Sequence, residues 1–337
     1  MTPVLADSVR LTDAGVEILD RREFPFRQRW LLCRTPDEVA RAIEDLVTQS
    51  SGPYFATLYA MVLAAREAAH LRPHAARAHL EQAGAKLINA RATNNHLRKA
   101  VAAVLAQVSG SGEELVASAL AGAHAGDSLY RSRSQALGSH AASLLPAEGG
   151  VLTHCWADLY LIELVSAAQR SGKRLRFFCT ETRPYLQGAR LTAETLAEMN
   201  VDTTLISDGM GAAVMQSGEV DALVTAADRV TMDGHVVNKI GTLGLAVAAS
   251  AFGVPFHALV QAPDQLARGA ADVPIEYRHG DEVLHTLGQR TASTKVRGLY
   301  PAFDVTPPRF VSTIVTDRGP FEPHRIAEYY REGEANQ

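Results

Sequence analysis

Four short polar clusters stand directly after apolar runs in the second half of the chain. They are Thr153-His154-Cys155, Thr180-Glu181-Thr182-Arg183, Ser207-Asp208-Gly209 and Ala227-Asp228-Arg229. The clusters include a thiol and several carboxyl groups, which are side chains that can serve as acids or bases. If the apolar runs are parallel strands of one sheet, all four clusters open on its carboxyl edge, where ligands bind in open α/β sheets. The pattern predicts a shared cleft.

Cys155 and Asp228 are the two residues of these clusters with the clearest chemical potential, and each has two interpretations. A free cysteine is most often a small buried hydrophobe, whereas a position near a helix N-terminus lowers the thiol pKa and makes the group a usable acid or base. Asp228 could cap a helix or pair with Arg229. Alternatively, it could be a buried carboxyl whose raised pKa lets it donate a proton. The local sequence leaves both choices open.

Three further positions carry polar or charged groups in predicted loops and helices. Asn238–Thr242 is predicted to be a loop that leads into an apolar helix, and a Lys and an Asn ahead of a helix N-terminus suit a phosphate. Gln187 lies in a second loop and helix start, where capping and ion pairing are the simpler interpretation. Arg91 is an isolated cation in a helical region, and most such arginines are solvated.

Alternation of strand and helix patterns from residue 146 onward predicts the scaffold for these clusters. The predicted strands are Val151–His154, Leu175–Cys179, Thr203–Ile206, Ala222–Thr225, Pro255–Val260 and Phe310–Val315. The predicted helices between them are Asp158–Ser171, Leu191–Met199, Ala212–Ser217 and Leu243–Phe252. This order is typical of a Rossmann-like, doubly wound and mostly parallel sheet, assigned here to a domain of residues 146–337. No GxGxxG motif supports a dinucleotide cofactor, and no cofactor is expected.

The first part of the chain has a different pattern. Residues 8–34 alternate between apolar and polar side chains and are punctuated by turn residues, which predicts a small antiparallel sheet. From Thr35 to about Gln135 apolar residues recur at helical spacing, and strands are absent. The expectation is an α/β protein in which a small-sheet and helical domain, residues 1–145, precedes the sheet domain.

Composition narrows the class of partner. A net charge of −4 gives no reason to expect nucleic acid or a membrane surface as a partner. The three cysteines are widely spaced and form no CxxC pair, so neither a disulfide framework nor a structural zinc site is expected. The histidines show no HExxH spacing, and no metal site is predicted. Without a signal-like segment near Met1 or a long apolar run, the chain is expected to be cytoplasmic.

Taken together, the motifs resemble the methylthioribose-1-phosphate isomerase family. That family also contains ribose-1,5-bisphosphate isomerase and the alpha, beta and delta regulatory subunits of eukaryotic initiation factor two-B. The resemblance runs nearly end to end, through Gly15–Asp20, Pro36–Ala40, Thr153–Cys155, Glu181–Pro184, Leu186–Thr192, Ala227–Arg229, Asn238–Thr242, Pro274–Glu276 and Pro301–Pro307.

The resemblance implies a role for each candidate site residue. In the isomerases, the Cys of the Thr-His-Cys motif and the Asp of the Ala-Asp-Arg motif form the catalytic pair, and these fall on Cys155 and Asp228. The regulatory subunits generally lack that pair. The residues implied to contact the substrate or its phosphate are Arg91, Gln187, Asn238 and Lys239. A homodimer or a higher homo-oligomer is also implied.

The chain departs from the family pattern where the isomerases usually carry Arg-Gly-Ala-Pro. The corresponding stretch is Gln49–Pro53, which lacks the Arg that helps to bind phosphate. Loss of one charge-assisted hydrogen bond removes about 1.5–3 kcal/mol of binding. Trp156–Asp158 likewise replaces Asn-Ala-Gly. The acid–base pair is therefore retained while the substrate walls differ.

The implied reaction converts a 5-substituted ribose 1-phosphate, a sugar phosphate, into the matching ribulose 1-phosphate. Asp228 is expected to protonate the ring oxygen and then to handle the O2 proton, while Cys155 moves a proton from C2 to C1. A hydride shift is the alternative route. Ribose 1,5-bisphosphate and 5-deoxyribose 1-phosphate are alternative substrates, and a non-catalytic sugar-phosphate-sensing regulatory protein is the alternative class.

Overall fold

The computed structural model describes residues 2–91 and 95–334. The strands are β1 Val9–Thr12, β2 Gly15–Leu19, β3 Trp30–Cys33, β4 Glu148–Thr153, β5 Arg174–Thr180, β6 Asp202–Ile206, β7 Ala222–Ala226, β8 Arg229–Val230, β9 Val236–Lys239, β10 Phe256–Leu259, β11 Tyr277–Arg278, β12 His285–Thr286, β13 Gln289–Arg290, β14 Tyr300–Pro301, β15 Phe303–Thr306, β16 Thr313–Thr316 and β17 Gly319–Phe321. The α-helices are α1 Pro36–Glu44, α2 Gly52–Ala68, α3 Pro73–Asn89, α4 Asn95–Leu105, α5 Glu113–Leu144, α6 Leu159–Arg170, α7 Ala193–Glu198, α8 Gly211–Gln216, α9 Thr242–Phe252 and α10 Glu328–Glu334.

The chain forms two compact units, residues 4–132 and residues 133–334, with Thr2 and Pro3 belonging to the second. In the first unit, β1, β2 and β3 form an antiparallel sheet, and helices follow from α1 onward. The predicted small sheet and helical region are therefore confirmed. The units separate within the long helix α5, and the domain boundary predicted at residues 145 and 146 stays a prediction.

The second unit is built on a seven-stranded sheet with the strand order β17-β16-β10-β7-β4-β5-β6. Every neighbouring pair is parallel except β16 and β17. Strand β17 lies at the edge of the sheet and is antiparallel to β16. All six predicted strands are present, with β16 starting later than expected because Pro308–Phe310 forms a 3-10 turn. The α/β class with a mostly parallel, Rossmann-like sheet is confirmed.

The strand order reverses between β4 and β7. The chain leaves β4 toward β5 and β6 on one side, and it leaves β7 toward β10 and β16 on the other. Crossover connections in opposite directions leave a crevice at the carboxyl ends of the two central strands, where ligands bind in open α/β folds. Cys155 follows β4 and Asp228 follows β7. The topology therefore places the predicted pair at the two sides of this switch point.

Buried apolar side chains hold α8 and α9 against this sheet. Leu223, Phe256 and Ile314 of the strands pack with Met215 of α8 and Leu245 of α9 in one apolar cluster. Burial of such side chains stabilises the unit by about 1.5–3 kcal/mol each. Across the described ranges, every helix is too short or too polar for a membrane span.

The interpretation of Asn238–Thr242 as a loop is wrong in its first half. Asn238 and Lys239 are the last residues of β9, which pairs with β8 on one side and β15 on the other. The β-branched pair Val236 and Val237 and this double pairing favour a strand. Only Ile240 and Gly241 connect it to α9.

Candidate active site

In the turn after β4, the backbone N–H, the carbonyl and the sulfur of Cys155 each make a hydrogen bond. Its backbone N–H donates to Thr182 Oγ1 at 2.9 Å, and its carbonyl accepts a hydrogen bond from the hydroxyl of Thr192. The Trp156 backbone N–H donates to the thiol sulfur. Cys155 adopts φ 65°, a left-handed conformation that is uncommon for residues other than glycine. The contacts fix the direction of the thiol before any ligand arrives.

Side-chain hydrogen bonds also fix the conformation of the loop after β5. Asp208, at the end of β6, accepts the Thr182 N–H at Oδ1 and the Arg183 N–H at Oδ2, each at 2.7 Å. Thr182 has φ 63°, which is strained for a β-branched residue. The Arg183 guanidinium donates to the carbonyls of Val283 and His285 at 3.0 and 2.9 Å. One carboxylate therefore shapes the loop that supports Cys155.

Left-handed backbone conformations are concentrated around this turn. Cys155, Asp158, Thr182 and Leu186 all have φ between 52° and 66°. Such residues cost on the order of 1–3 kcal/mol each, and they cluster at functional sites, where the surroundings over-determine them. The backbone geometry thus points to the same carboxyl edge as the strand order.

The thiol of Cys155 is protonated at neutral pH. Burial raises the pKa of Cys155 to about 11, opposed by the positive charge of Lys239 and the Trp156 hydrogen bond, and assisted by the negative charge of Asp228. The interpretation that a helix N-terminus lowers this pKa is wrong, because three residues separate Cys155 from the start of α6 and burial outweighs the other causes.

Asp228 lies in a bend between β7 and β8, and its side chain is exposed. Of the two interpretations of Asp228, the one as a buried carboxyl is wrong, because the strand ends at Ala226 and the chain turns outward before β8 begins. Its charge nevertheless acts on the Cys155 thiol. The structure brings the two predicted catalytic residues within electrostatic reach of each other.

Asn238 and Lys239 are buried at the end of β9 beside this turn. The Asn238 side-chain amide donates to Thr242 Oγ1 at 3.0 Å, and the Lys239 ammonium lies 4.6 Å from the centre of the Phe303 ring. Lys239 is 5% exposed, and its charge acts on Cys155. A buried ammonium is attractive to an anion because few waters compete for it. Lys239 therefore suits a phosphate.

Asp304 of β15 holds the connection between Lys239 and α9. Its Oδ2 accepts the Gly241 N–H at 2.7 Å, and its Oδ1 accepts the Leu243 N–H at 3.1 Å. Register places Asp304 opposite Asn238. These bonds satisfy backbone donors at the first turn of α9 that have no partner within the helix.

We expect Asp304 to give the protein a specific pH dependence of stability. Burial raises the pKa of Asp304 from 3.8 to about 6. A raised folded-state pKa stabilises the fold below the unfolded pKa, and this contribution is lost as pH rises through the folded pKa. The free energy of unfolding of the wild type should therefore fall, relative to Asp304→Asn, between pH 4 and pH 7. Chemical unfolding at each pH measures the difference, and a constant difference would contradict the assignment.

The two remaining sequence candidates lie in different units. Gln187 is buried and precedes a π-helical turn, Gly188–Thr192, in the same unit as Cys155. Arg91 is half-buried in the turn after α3, in the unit of residues 4–132. Cys155, Asp228, Asn238, Lys239 and Gln187 thus share a unit, and the substrate contact of Arg91 stays a prediction.

Several residues that shape the site were not singled out from the sequence. His154, Asp208 and Asp304 lie within recognised motifs, but their partners are distant in sequence. Tyr300 carried no motif signal: it is 2% exposed, and its hydroxyl has no hydrogen-bond partner within residues 2–91 and 95–334. The thiolate form of Cys155 helps to raise the pKa of Tyr300, so the phenol lies within electrostatic reach of the sulfur. A buried, unsatisfied hydroxyl in this position can donate to a ligand.

The arrangement combines a proton-bearing thiol, an exposed carboxylate and a buried ammonium at one sheet edge. The thiol and carboxylate can exchange protons with a bound molecule, and the ammonium can hold an anionic group of the same molecule. Groups of these kinds are suited to proton transfer on a small molecule that carries a phosphate.

Comparison with known proteins gives a consistent result. The family model described as "Initiation factor 2 subunit family" matches residues 49–323. Methylthioribose-1-phosphate isomerase of Anaeromyxobacter sp. (strain K) is 40% identical over 331 residues, which cover 95% of this chain and 93% of that protein. The enzyme of that name from Koribacter versatilis (strain Ellin345) is 36% identical over 341 residues, covering 95% and 94%.

Two solved structures extend the comparison. The crystal structure of 5-methylthioribose 1-phosphate isomerase from Pyrococcus horikoshii OT3 has a TM-score of 0.89 at 29% identity, covering 100% of this chain and 99% of that one. The structure of translation initiation factor eIF-2B, subunit delta, from A. fulgidus has a TM-score of 0.84 at 32% identity, covering 94% and 96%. The chain belongs to the initiation factor 2 subunit family, and within it to the same family as the methylthioribose-1-phosphate isomerases that it matches.

Proposed function

We propose that this protein is an aldose–ketose isomerase that converts a 5-substituted ribose 1-phosphate, methylthioribose 1-phosphate in the first place, into the corresponding ribulose 1-phosphate. The observation that carries the proposal is the Cys155 turn, with Asp228 and Lys239 acting on the same thiol. Full-length similarity to methylthioribose-1-phosphate isomerases supports the choice of reaction.

The phosphate at C1 defines what the site must do. It locks the anomeric carbon, so the ring must open while the phosphate stays attached. Lys239 and Asn238 hold the phosphate end. Before the ring opens, the proton of the resting Cys155 thiol moves to Asp228, so that the acid and the base form together. Asp228 donates a proton to the ring oxygen as the bond between C1 and that oxygen breaks. It later accepts the proton of the O2 hydroxyl. Cys155, as the thiolate, takes the C2 proton and returns it to C1, and each group ends in the protonation state in which it entered the reaction.

The thiol chemistry makes pH a sharp test of this assignment. Because burial raises the pKa of Cys155 to about 11, the reactive thiolate increases about tenfold with each pH unit below that value. If the thiolate of Cys155 is the reactive form, the rate of Cys155 alkylation by iodoacetamide should rise steadily from pH 7 to pH 9.

Two substitutions of Lys239, one that removes its charge and one that keeps it, provide the control. Lys239→Met removes the charge that favours the thiolate and should shift this rise toward higher pH, while Lys239→Arg should retain it. An alkylation rate that is flat or falls over the same range in the wild type would contradict the thiolate of Cys155 as the reactive form.

A non-catalytic sugar-phosphate sensor is the second candidate, favoured by one observation. The chain is 32% identical to a structure described as an initiation factor subunit, so the fold is shared with proteins of that description. Ligand-induced thermal stabilisation and ketose formation should be measured on the same panel: 5-methylthioribose, 5-deoxyribose and ribose 1-phosphates and ribose 1,5-bisphosphate. Turnover of at least one compound supports the isomerase, and stabilisation without turnover of any supports the sensor.

The proposal extends to the oligomeric state and the cellular compartment of the protein. We propose a homodimer or a larger homo-oligomer in the cytoplasm, consistent with the family resemblance and the absence of a membrane-spanning helix in the described ranges. Light scattering during size-exclusion chromatography measures the assembly, and a monomer at assay concentrations would contradict it.

A further inference from the structure

A chain of hydrogen bonds runs beneath the site from the Cys155 turn to the Lys239 strand end. His154 Nδ1 lies 2.6 Å from Thr180 Oγ1, and His154 Nε2 lies 2.9 Å from the carbonyl oxygen of Ile240. Thr180 Oγ1 is 3.4 Å from Thr182 Oγ1, which accepts the Cys155 N–H at 2.9 Å. His154 is 2% exposed, and both threonines are fully buried.

Donor and acceptor roles give this chain a single direction. The carbonyl of Ile240 can only accept, so Nε2 must carry a hydrogen. Burial and the charge of Lys239 lower the pKa of His154, which keeps the ring neutral and makes Nδ1 the acceptor. Thr180 must then donate its only hydroxyl proton to Nδ1. Thr182 accepts from the Cys155 N–H and donates its hydroxyl proton to Thr180, either to Oγ1 or to the carbonyl oxygen, each at 3.4 Å.

The far end of the chain is held just as tightly. Gly241 has φ 106°, and a Cβ atom there would lie 3.0 Å from the His154 ring, so the connection after β9 packs closely against the imidazole. Asp304 holds the same connection from the other side through the Gly241 N–H. Movement of the His154 ring would therefore shift both the Cys155 turn and the chain that follows Lys239.

We propose that His154 is a positioning residue for the isomerase reaction, which aligns the Cys155 thiol with the phosphate held at Lys239 through the one-way chain Cys155–Thr182–Thr180–His154–Ile240. The inference rests on the proposed function for its kinetic consequence, but the chain itself is a property of the fold. His154 does not exchange protons with the substrate.

Two substitutions of His154 each remove one of the two hydrogen bonds of its ring and keep the other, so they test the two ends of the chain in turn. His154→Gln keeps a donor near Nε2 but lacks the acceptor toward Thr180, so kcat should fall, on the order of 10- to 100-fold for a small misplacement. His154→Asn keeps an acceptor near Nδ1 but lacks the donor toward Ile240, so KM should rise more than kcat falls. Thr180→Val should behave as His154→Gln does, and Thr180→Ser, which keeps the hydroxyl, should restore kcat to within a few fold.

Alkylation of Cys155 by iodoacetamide, followed against pH by mass spectrometry of its peptide, tests the chain without a substrate. Thr180→Val and His154→Gln should shift the midpoint of the Cys155 profile, whereas Thr180→Ser should not. Thermal unfolding checks that each variant is folded. Wild-type kcat and a wild-type alkylation profile in both Thr180→Val and His154→Gln would overturn the inference. If the wild type turns over no sugar phosphate, the proposed function fails, and the alkylation profiles alone decide the inference.

Discussion

Replacing Cys155 by Ser should reduce kcat by about 10²- to 10⁴-fold, the usual contribution of a positioned acid–base group. A hydroxyl is a far weaker acid than a thiol, so the variant cannot form the base at an accessible pH. The fold should be unaffected, because the backbone bonds of this turn to Thr182 and Thr192 do not involve the sulfur. Steady-state turnover measures the loss, and stabilisation by the sugar phosphate should stay at the wild-type level.

Asp228→Asn should produce a loss of similar size, since the carboxylate serves the other proton transfers. Asp228 is exposed, so its replacement should cost little stability. The double variant should be little worse than either single variant, because groups that act as a unit are not additive. Normal turnover by both single variants would remove the catalytic pair from the account.

Gly188→Ala should damage both the fold and the activity. A Cβ atom at Gly188 would lie 1.7 Å from the Thr180 carbonyl oxygen and 2.9 Å from Thr182 Oγ1. Because the first neighbour is backbone, the end of β5 and its loop must shift. We expect a loss of about 1–3 kcal/mol in the free energy of unfolding, and a fall in kcat on the order of 10²-fold.

Gly244→Ala is the matched control for this substitution. Gly244 is exposed in α9, and apart from its chain neighbours and the nearby backbone of its own helix no heavy atom of the described residues lies within 4 Å of the position that its Cβ would take. Alanine in a helix interior is about 0.5–1 kcal/mol more favourable than glycine, so this variant should gain stability and keep wild-type turnover. Equal melting temperatures for Gly188→Ala and the wild type would show that the close approach is not present in solution.

Much of the scaffold could be predicted because its patterns are local. The run Ala222–Ala226 is apolar apart from Thr225 and lies between Asp221 and Asp228, a pattern typical of a strand buried on both faces. Once six strands alternate with helices, the edge that carries Cys155 and Asp228 follows from the topology. The residues themselves were chosen with the help of the family resemblance, since a lone Cys and a lone Asp have no specific local signal.

The rest depended on contacts that are distant in sequence. Asn238 and Lys239 were assigned to a loop because β15, which pairs with β9, lies more than sixty residues away. For Cys155 the local sequence left open whether a nearby helix lowers the thiol pKa, and desolvation by the folded chain raises it. For Asp228 it left open whether the carboxyl group is buried, and only the outward turn after β7 shows its exposure. Tertiary contacts therefore determine the strand at Asn238 and Lys239, the pKa of Cys155 and the exposure of Asp228.

The most direct test is to incubate the wild-type protein with 5-methylthioribose 1-phosphate and follow the sugar carbons by ¹³C NMR. A site built around the thiol of Cys155 should convert the C1 acetal signal into a C2 ketone signal, with the phosphate still attached at C1. Binding of the compound with no ketone signal, at any pH between 7 and 9, would contradict methylthioribose 1-phosphate as the substrate, and the same result with every compound of the panel would contradict the isomerase.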